Sequence, residues 1–224
     1  MQYIDQTLTL LLNGSQSLFL DGLAWTATQT STWIPLMFVL LYVVIQGNDL
    51  RGLFYIIIGG ALCILLADQV ASTLCKPWVA RWRPTHDPFI MYAIDIVNGY
   101  RGGNYGFFSS HAANTMSIAT FFAFVFRNKQ LNYWLFSWVL LNCWTRVYLG
   151  VHYVGDLTVG LIWGAIVGFS IYTIMKRKHM IVTINHATNT PAQTPSYSQQ
   201  NFHLLIGAFL LTYAFILFKS LFFT

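Results

Sequence analysis

Three clusters of polar residues could do chemistry in this chain. Lys76 is followed, after six intervening residues, by Arg83-Pro84, then comes Ser109-Ser110-His111, and Arg146, His152 and Asp156 complete the set. Cations of this kind hold a phosphate, and arginine offers a planar fork to two oxygens at once. One imidazole can attack phosphorus, a carboxylate can orient it, and a second imidazole can protonate the leaving group. These are the parts of phosphoryl transfer through a histidine.

Each cluster also has a plainer reading. Lys76, Arg81 and Arg83 alternate with Trp78 and Trp82, as interfacial anchors do. If the segment is helical, seven residues make about two turns, so Lys76 and Arg83 share a face and Arg81 points elsewhere. Ser109 suits a helix cap, and a helix start there offers unpaired N–H groups to an anion. The preceding stretch, Arg101-Gly-Gly-Asn-Tyr-Gly106, reads either as a mobile cover or as an ordinary loop. Asp156 suits an N-cap, with Gly150 and Gly155 permitting a tight reversal before it. The spacing from His152 to Asp156 also lets the carboxylate take one ring N–H, leaving the other nitrogen nucleophilic. A metal site of His111, His152 and Asp156 is the competing chemistry. Lys76, Arg83 and Arg146 would repel a divalent cation and attract phosphate, so electrostatics favours the anion.

The elements that must position these residues are apolar. Hydrophobic residues make up 56% of the 224-residue chain and charged ones 8%, against roughly 25% in an average soluble domain. Runs approaching or exceeding the roughly 20 residues of a membrane span occur near 29–46, 52–75, 109–127, 131–149, 156–175 and 203–222. Residues 5–26 are more mixed and read as an amphipathic helix lying in the interface, with a full span as the alternative. The expectation is an all-α, polytopic transmembrane helix bundle of about six spans forming one domain over 1–224, with 183–202 a polar linker to the last span. Cys63, Cys75 and Cys143 lack metal-type spacing, and Cys63 and Cys143 read as small buried hydrophobes. The net charge of +5 is scattered between apolar runs rather than gathered on a basic face, which argues against nucleic acid as a partner.

Counting crossings brings the clusters together. No span separates Lys76 from His111, two separate His111 from Arg146, and none separates Arg146 from Asp156, so all three clusters belong at one membrane face. Arg51, Arg127, Lys129 and Lys176-Arg177-Lys178 occupy the other set of links. The positive-inside rule assigns these to the cytoplasm and the motifs to the extracytoplasmic side, of the inner membrane if the cell is bacterial. Asp68, His86 and Asp87 rank below the motif residues, and His179, His186 and His203 read as structural.

At these positions the chain resembles the type-2 phosphatidic acid phosphatase superfamily of membrane lipid phosphatases. Its first motif, Lys, six residues, Arg-Pro, is met by Lys76, Arg83 and Pro84. Its second, Pro-Ser-Gly-His, is met by Phe108-Ser109-Ser110-His111. Its third, Ser-Arg, five residues, His, three residues, Asp, is met by Thr145-Arg146, His152 and Asp156. Phe108, Ser110 and Thr145 depart from the pattern, which touches substrate fit more than the catalytic set. The resemblance implies that His152 forms a phosphohistidine assisted by Asp156, and that His111 protonates the leaving group. Lys76, Arg83, Arg146, Ser109 and the Ser110 amide would bind the phosphoryl oxygens, with no metal or other cofactor required. The implied substrate is a membrane lipid phosphate or diphosphate, of undecaprenyl diphosphate or lipid A type. A lipid phosphotransferase using the same site and a non-catalytic lipid-binding or transport protein are the alternatives, and oligomeric state is left open.

Overall fold

A computed structural model describes residues 2–178, 180, 183–185, 190–192 and 197–224. Each expected apolar run is helical, and side-chain caps at Asp49, Ser109, Asn128 and Ser198 start four of the helices. Helix α1 (Gln2–Leu12) and α2 (Leu18–Thr28) divide the mixed N-terminal stretch at Asn13-Gly14-Ser15-Gln16. Helix α3 (Thr30–Gln46) follows α2 across a 50° bend. Helix α4 (Leu50–Gln69) starts where Asp49 Oδ1 accepts the Gly52 N–H at 2.8 Å, and it runs through a π-helical turn, Val70–Cys75, into the short α5 (Lys76–Val79). The bundle continues with α6 (Ser110–Phe126), α7 (Lys129–Tyr148), α8 (Val154–Arg177) and α9 (Gln199–Ser220).

Among the described residues, Leu50–Val79, Val154–Arg177 and Gln199–Ser220 are long and apolar enough to cross a membrane, and α2 with α3 adds a fourth if the bent pair is one span. The expected spans near 109–127 and 131–149 are helices too, but more polar ones. Helix α6 carries Ser110, His111, Asn114, Thr115, Ser117 and Thr120, and most of its residues are buried among its neighbours. A helix enclosed by protein can keep such groups because they find partners there: Ser117 donates to the Cys63 carbonyl at 3.3 Å. The outer helices do the opposite, exposing Phe54, Leu65, Ile162, Phe169, Leu211 and Phe218. Such a girdle is costly in water and satisfied in lipid.

Helix α1 fits the interfacial reading in its pattern, with Ile4, Leu8, Leu11 and Leu12 exposed and Thr9 buried. Residues 18–28, by contrast, join α3 as one bent pair rather than extending α1. The polar linker is shorter than expected, because α9 already begins at Gln199, and it contains a small antiparallel pair, Thr183–Asn185 with Thr190–Ala192. His179 and His186 lie outside the described residues, and His203 is exposed on α9. Cys63 and Cys143 are buried free thiols, as their apolar surroundings suggested.

The packing that matters most to the site is α6 against α8. Gly160, Gly164 and Gly168 form a stripe at every fourth residue, and a β-carbon added at Gly160 would stand 2.7 Å from the Ser109 carbonyl oxygen. Small residues let two backbones approach closely. Here they bring the first turn of α6, with Ser109 to His111, beside the first turn of α8, with Asp156. Ser109 N–H donates to the Asp156 carbonyl at 3.1 Å, which locks the two starts together.

Candidate active site

The three clusters meet at one end of this bundle. Lys76 arrives on the π-turned end of the long helix, where Asp68, Ser72 and Lys76 follow one another at four-residue intervals. Lys76 Nζ donates to Ser110 Oγ and to Ser72 Oγ at 3.1 Å, and Ser72 Oγ lies 3.1 Å from Ser110 Oγ and 3.3 Å from Asp68 Oδ1. The first motif is thereby tied to the second. A helical face does not join Lys76 to Arg83, contrary to the sequence reading. The helix stops at Val79, Ala80 turns left-handed at φ 48°, and the chain returns in extended form.

That return strand is held by the glycine-rich stretch. Gly106 N–H donates to the Arg81 carbonyl at 2.9 Å, and Arg83 N–H donates to the Asn104 carbonyl at 3.0 Å. Gly102 is required where it stands: its φ is +69°, and an added β-carbon would lie 3.1 Å from Arg83 Nη1. Residues 101–106 are thus the wall that aims Arg83. Its Nε donates to the Tyr105 carbonyl at 3.1 Å and its Nη1 to the Val151 carbonyl at 3.0 Å.

His152 is 1% exposed, between the end of α7 and the start of α8. Its Nε2 lies 3.3 Å from Arg83 Nη1, and its Nδ1 lies 3.5 Å from Asp156 Oδ2. Guanidinium nitrogens only donate, so Nε2 carries the lone pair and Nδ1 carries the proton, turned toward Asp156. The Nδ1–Asp156 separation is longer than a formed hydrogen bond, a looseness usual in sites without substrate. Gly106 closes this pair from above, because a β-carbon there would stand 3.0 Å from Asp156 Oδ2 and 3.5 Å from His152 Nδ1. Burial, then Arg83, Arg146 and Lys76, push His152 well below the ordinary histidine range, so the ring is neutral and its lone pair unprotonated.

Asp156 does not act as the N-cap of α8. Tyr153 is the cap, and Asp156 reaches back to accept the Tyr153 N–H at 3.1 Å. Gly150, at φ +66°, makes the reversal, whereas Gly155 is already helical. Ser109 does cap α6, accepting the Ala112 N–H at 3.4 Å, and both Ser109 and Ser110 are buried. His111 is exposed on the first turn of α6, and Arg146, His152, Lys76 and Arg83 lie within electrostatic reach of it. Arg146 is 2% exposed; its two terminal nitrogens donate to Thr28 Oγ1 at 2.6 Å and Tyr100 Oη at 3.2 Å, while its buried Nε has no partner among the described residues. A buried, unpaired guanidinium N–H is a donor waiting for an acceptor, which a phosphoryl oxygen would supply.

Other residues join the site without having been expected there. Arg81 Nη1 pairs with Asp156 Oδ1 at 2.9 Å, although helical geometry had turned Arg81 away; the break at Ala80 changes its direction. Tyr100 lies beneath Arg146, with the guanidinium 5.7 Å from its ring. Burial raises the Tyr100 hydroxyl, and Arg146 and then Arg83 override this and lower it. Asp87 is a structural anchor, buried and accepting from Tyr153 Oη and from Gln6 Nε2 at 3.2 Å. His86 leans on Thr85 Oγ1 at 3.1 Å. A sequence signal existed for Arg81, as one of three cations in a nine-residue stretch without an acid, but none marked Tyr100.

With this arrangement of cations around a buried imidazole described, comparison with known proteins gives the family. Residues 50–180, more than half the chain, match the model of the PAP2 superfamily. The chain belongs to the PAP2 superfamily. It is similar to the lipid A 4′-phosphatase of Porphyromonas gingivalis, 36% identical over 177 residues, covering 78% of this chain and 75% of that protein. It is also similar to the lipid A 4′-phosphatase of Bacteroides thetaiotaomicron, 33% identical over 219 residues, covering 97% of this chain and 96% of that one. No solved structure matches. The PAP2 chain described here is accordingly an integral membrane enzyme, a phosphatase acting on a lipid-linked phosphate.

Proposed function

We propose that this PAP2 enzyme removes the 4′-phosphate of lipid A at the extracytoplasmic face of the inner membrane, through a phosphohistidine at His152. The observation that carries the mechanism is the division of His152 between Asp156 on Nδ1 and Arg83 on Nε2. The substrate reading is supported by a relative aligned over 97% of the chain. The face is supported by charge: Arg127, Lys176 and Arg177 line one pocket at the ends of α6 and α8 opposite the site, where the positive-inside rule expects the cytoplasm.

In the first step Nε2 attacks phosphorus, the N–P bond forms and the bond from phosphorus to the sugar oxygen breaks. His111 gives that oxygen its proton, and Asp156 stabilises the positive charge gained by His152. Lys76, Arg83 and Arg146, with Ser109 and the Ser110 amide, hold the phosphoryl oxygens as charge develops on them. In the second step His111 takes a proton from water, the water oxygen bonds to phosphorus and the N–P bond breaks. Inorganic phosphate leaves and both histidines return to their starting states.

The test is phosphate release by the purified protein from lipid A and, separately, from undecaprenyl diphosphate, with mass spectrometry of the lipid products. Lipid A should lose its 4′-phosphate and undecaprenyl diphosphate should be a poor substrate. The reverse order would overturn the substrate reading. Transfer of the phosphate to another lipid without release of free phosphate would overturn hydrolysis.

A further inference from the structure

We propose that Asp5, on the amphipathic helix α1, is a positioning residue of the catalytic site, acting through Arg81 on the carboxylate of Asp156. The inference rests on the reading of His152 as nucleophile and adds to it a residue well outside the three motifs.

A continuous run of contacts leads from α1 to the imidazole. Arg81 Nη2 binds Asp5 Oδ2 at 2.7 Å, and Arg81 Nη1 binds Asp156 Oδ1 at 2.9 Å. Asp5 Oδ1 accepts the Gly155 N–H at 2.8 Å, one residue before Asp156. One carboxylate therefore grips both the guanidinium that holds Asp156 and the backbone that carries it. The other oxygen of Asp156, Oδ2, faces Tyr153 N at 3.1 Å and His152 Nδ1 at 3.5 Å. Arg81 also lies over the Tyr153 ring at 4.1 Å, which fixes the plane of its fork. The planar fork presents a separate nitrogen to each carboxylate at a fixed spacing.

Charge gives the arrangement its consequence. Asp156 is fully buried, so its negative charge needs a counter-cation. A wholly unshared Arg81 would neutralise Asp156 and leave little negative charge for His152. Dividing Arg81 between Asp5 and Asp156 satisfies the burial requirement while leaving Asp156 able to stabilise an imidazolium. The other groups facing His152 are Lys76 from α5, Arg83 from the return strand, Arg146 from α7 and His111 from α6. Lys76, Arg83 and Arg146 are cationic and oppose the positive charge that His152 must gain, so the charge left on Asp156 carries weight.

A purely structural role for Asp5 would be to dock α1. Docking has independent ties, however. Gln6 Nε2 donates to Asp87 Oδ2 at 3.2 Å, Thr9 Oγ1 accepts the Val154 N–H at 3.4 Å, and Asn13 Nδ2 donates to the Tyr148 carbonyl at 2.7 Å. Removing one of these loosens α1 without touching Arg81, which separates the two roles.

The experiment compares Asp5→Asn, Asp5→Glu, Arg81→Lys and Gln6→Ala in the full-length protein in lipid A vesicles, reading kcat, KM and the pH profile of kcat/KM, with His152→Ala as reference. Asp5→Asn should lower kcat about tenfold at little change in KM. It should also move the acid limb of the profile to lower pH, because a less stabilised imidazolium loses its proton more readily. Arg81→Lys, a single ammonium that cannot hold both carboxylates at the spacing of the fork, should also lower kcat, and its weaker hold on Asp156 should move the limb to higher pH. Asp5→Glu should recover part of kcat, and Gln6→Ala should leave kcat and the limb where they were. An unshifted profile in both Asp5→Asn and Arg81→Lys, or equal losses in Asp5→Asn and Gln6→Ala, would overturn the proposal. An active His152→Ala would instead overturn the underlying mechanism, so the two failures are distinguishable.

Discussion

Arg83 and His152 face each other at 3.3 Å across the nitrogen that Asp156 leaves free. The guanidinium donates into the lone pair that would attack phosphorus, so substrate entry must replace one interaction by another: a phosphoryl oxygen takes the Arg83 donor, and the freed lone pair meets phosphorus. In the proposed mechanism, attack begins only once this contact has been exchanged.

Arg83→Lys should lose this exchange. Lysine keeps the charge but cannot reach the Tyr105 and Val151 carbonyls together, as the Arg83 fork does at 3.1 and 3.0 Å. Removing one preorganised donor from a developing oxyanion costs about 10²–10³ in kcat, and the variant should fall in that range in steady-state phosphate release.

Arg146 and Tyr100 should separate charge from orientation. Arg146→Gln removes a buried cation and should raise KM strongly as well as lower kcat. Tyr100→Phe removes one hydrogen bond at 3.2 Å and leaves the ring under the guanidinium. Its cost should be about 1.5–3 kcal/mol, as for bonds to charged groups, read as a fall in kcat/KM of roughly ten- to a hundredfold. Equal effects of the two substitutions would mean that Tyr100, not the charge of Arg146, matters.

The pH dependence follows from His152, whose folded value lies well below the usual range through burial first and the neighbouring cations second. Activity that needs the neutral ring should persist below pH 6.5, the approximate value of an unperturbed histidine, and fall only further into acid. Stability has a matching sign. Below that pH the unfolded chain takes up a proton that folded His152 refuses, so the His152 contribution is full above about 6.5 and declines as pH drops toward the folded value. Melting profiles of wild type and His152→Gln in the same detergent should converge as the pH is lowered. A gap that stays constant from neutral to acid would contradict the assignment of a neutral buried ring.

Gly164 tests how the two halves of the site are held together. A β-carbon there would meet Met116 Cβ at 2.9 Å and Ser117 N at 3.0 Å, backbone and inner side chain with no room to yield. Gly164→Val should push α8 from α6, cost about 1–3 kcal/mol from overpacking, and lower both Tm and activity, since Ser109 and Asp156 ride on the separated helices. An unchanged Tm would mean that the stripe does not set the helix spacing.

Much of this site was legible in the sequence for a simple reason. Lys76, His111, Arg146 and Asp156 each stand at the end of an apolar run, so the alternation of runs already decides which ends meet. Helix positions followed from the same runs, apart from the break after α1, where Asn13-Gly14 stops the helix, and the early start of α9. Arg81 was hidden for a different reason: its direction depends on Ala80 turning left-handed, a conformation that alanine rarely adopts and that no local pattern announces, and Asp5 was hidden with it because its contact is to Arg81. Tyr100 reaches Arg146 from a loop, and loop side chains have no periodicity to read.

The most direct test of the central claim is to trap the covalent intermediate. Wild-type protein would be mixed with lipid A labelled in its 4′-phosphate and quenched in alkali, where phosphohistidine survives, and the modified peptide would be located by mass spectrometry. The account predicts label on His152 that disappears in His152→Ala and persists longer in His111→Ala, where water loses its base. Label on any other side chain, or turnover by His152→Ala at the wild-type rate, would contradict it.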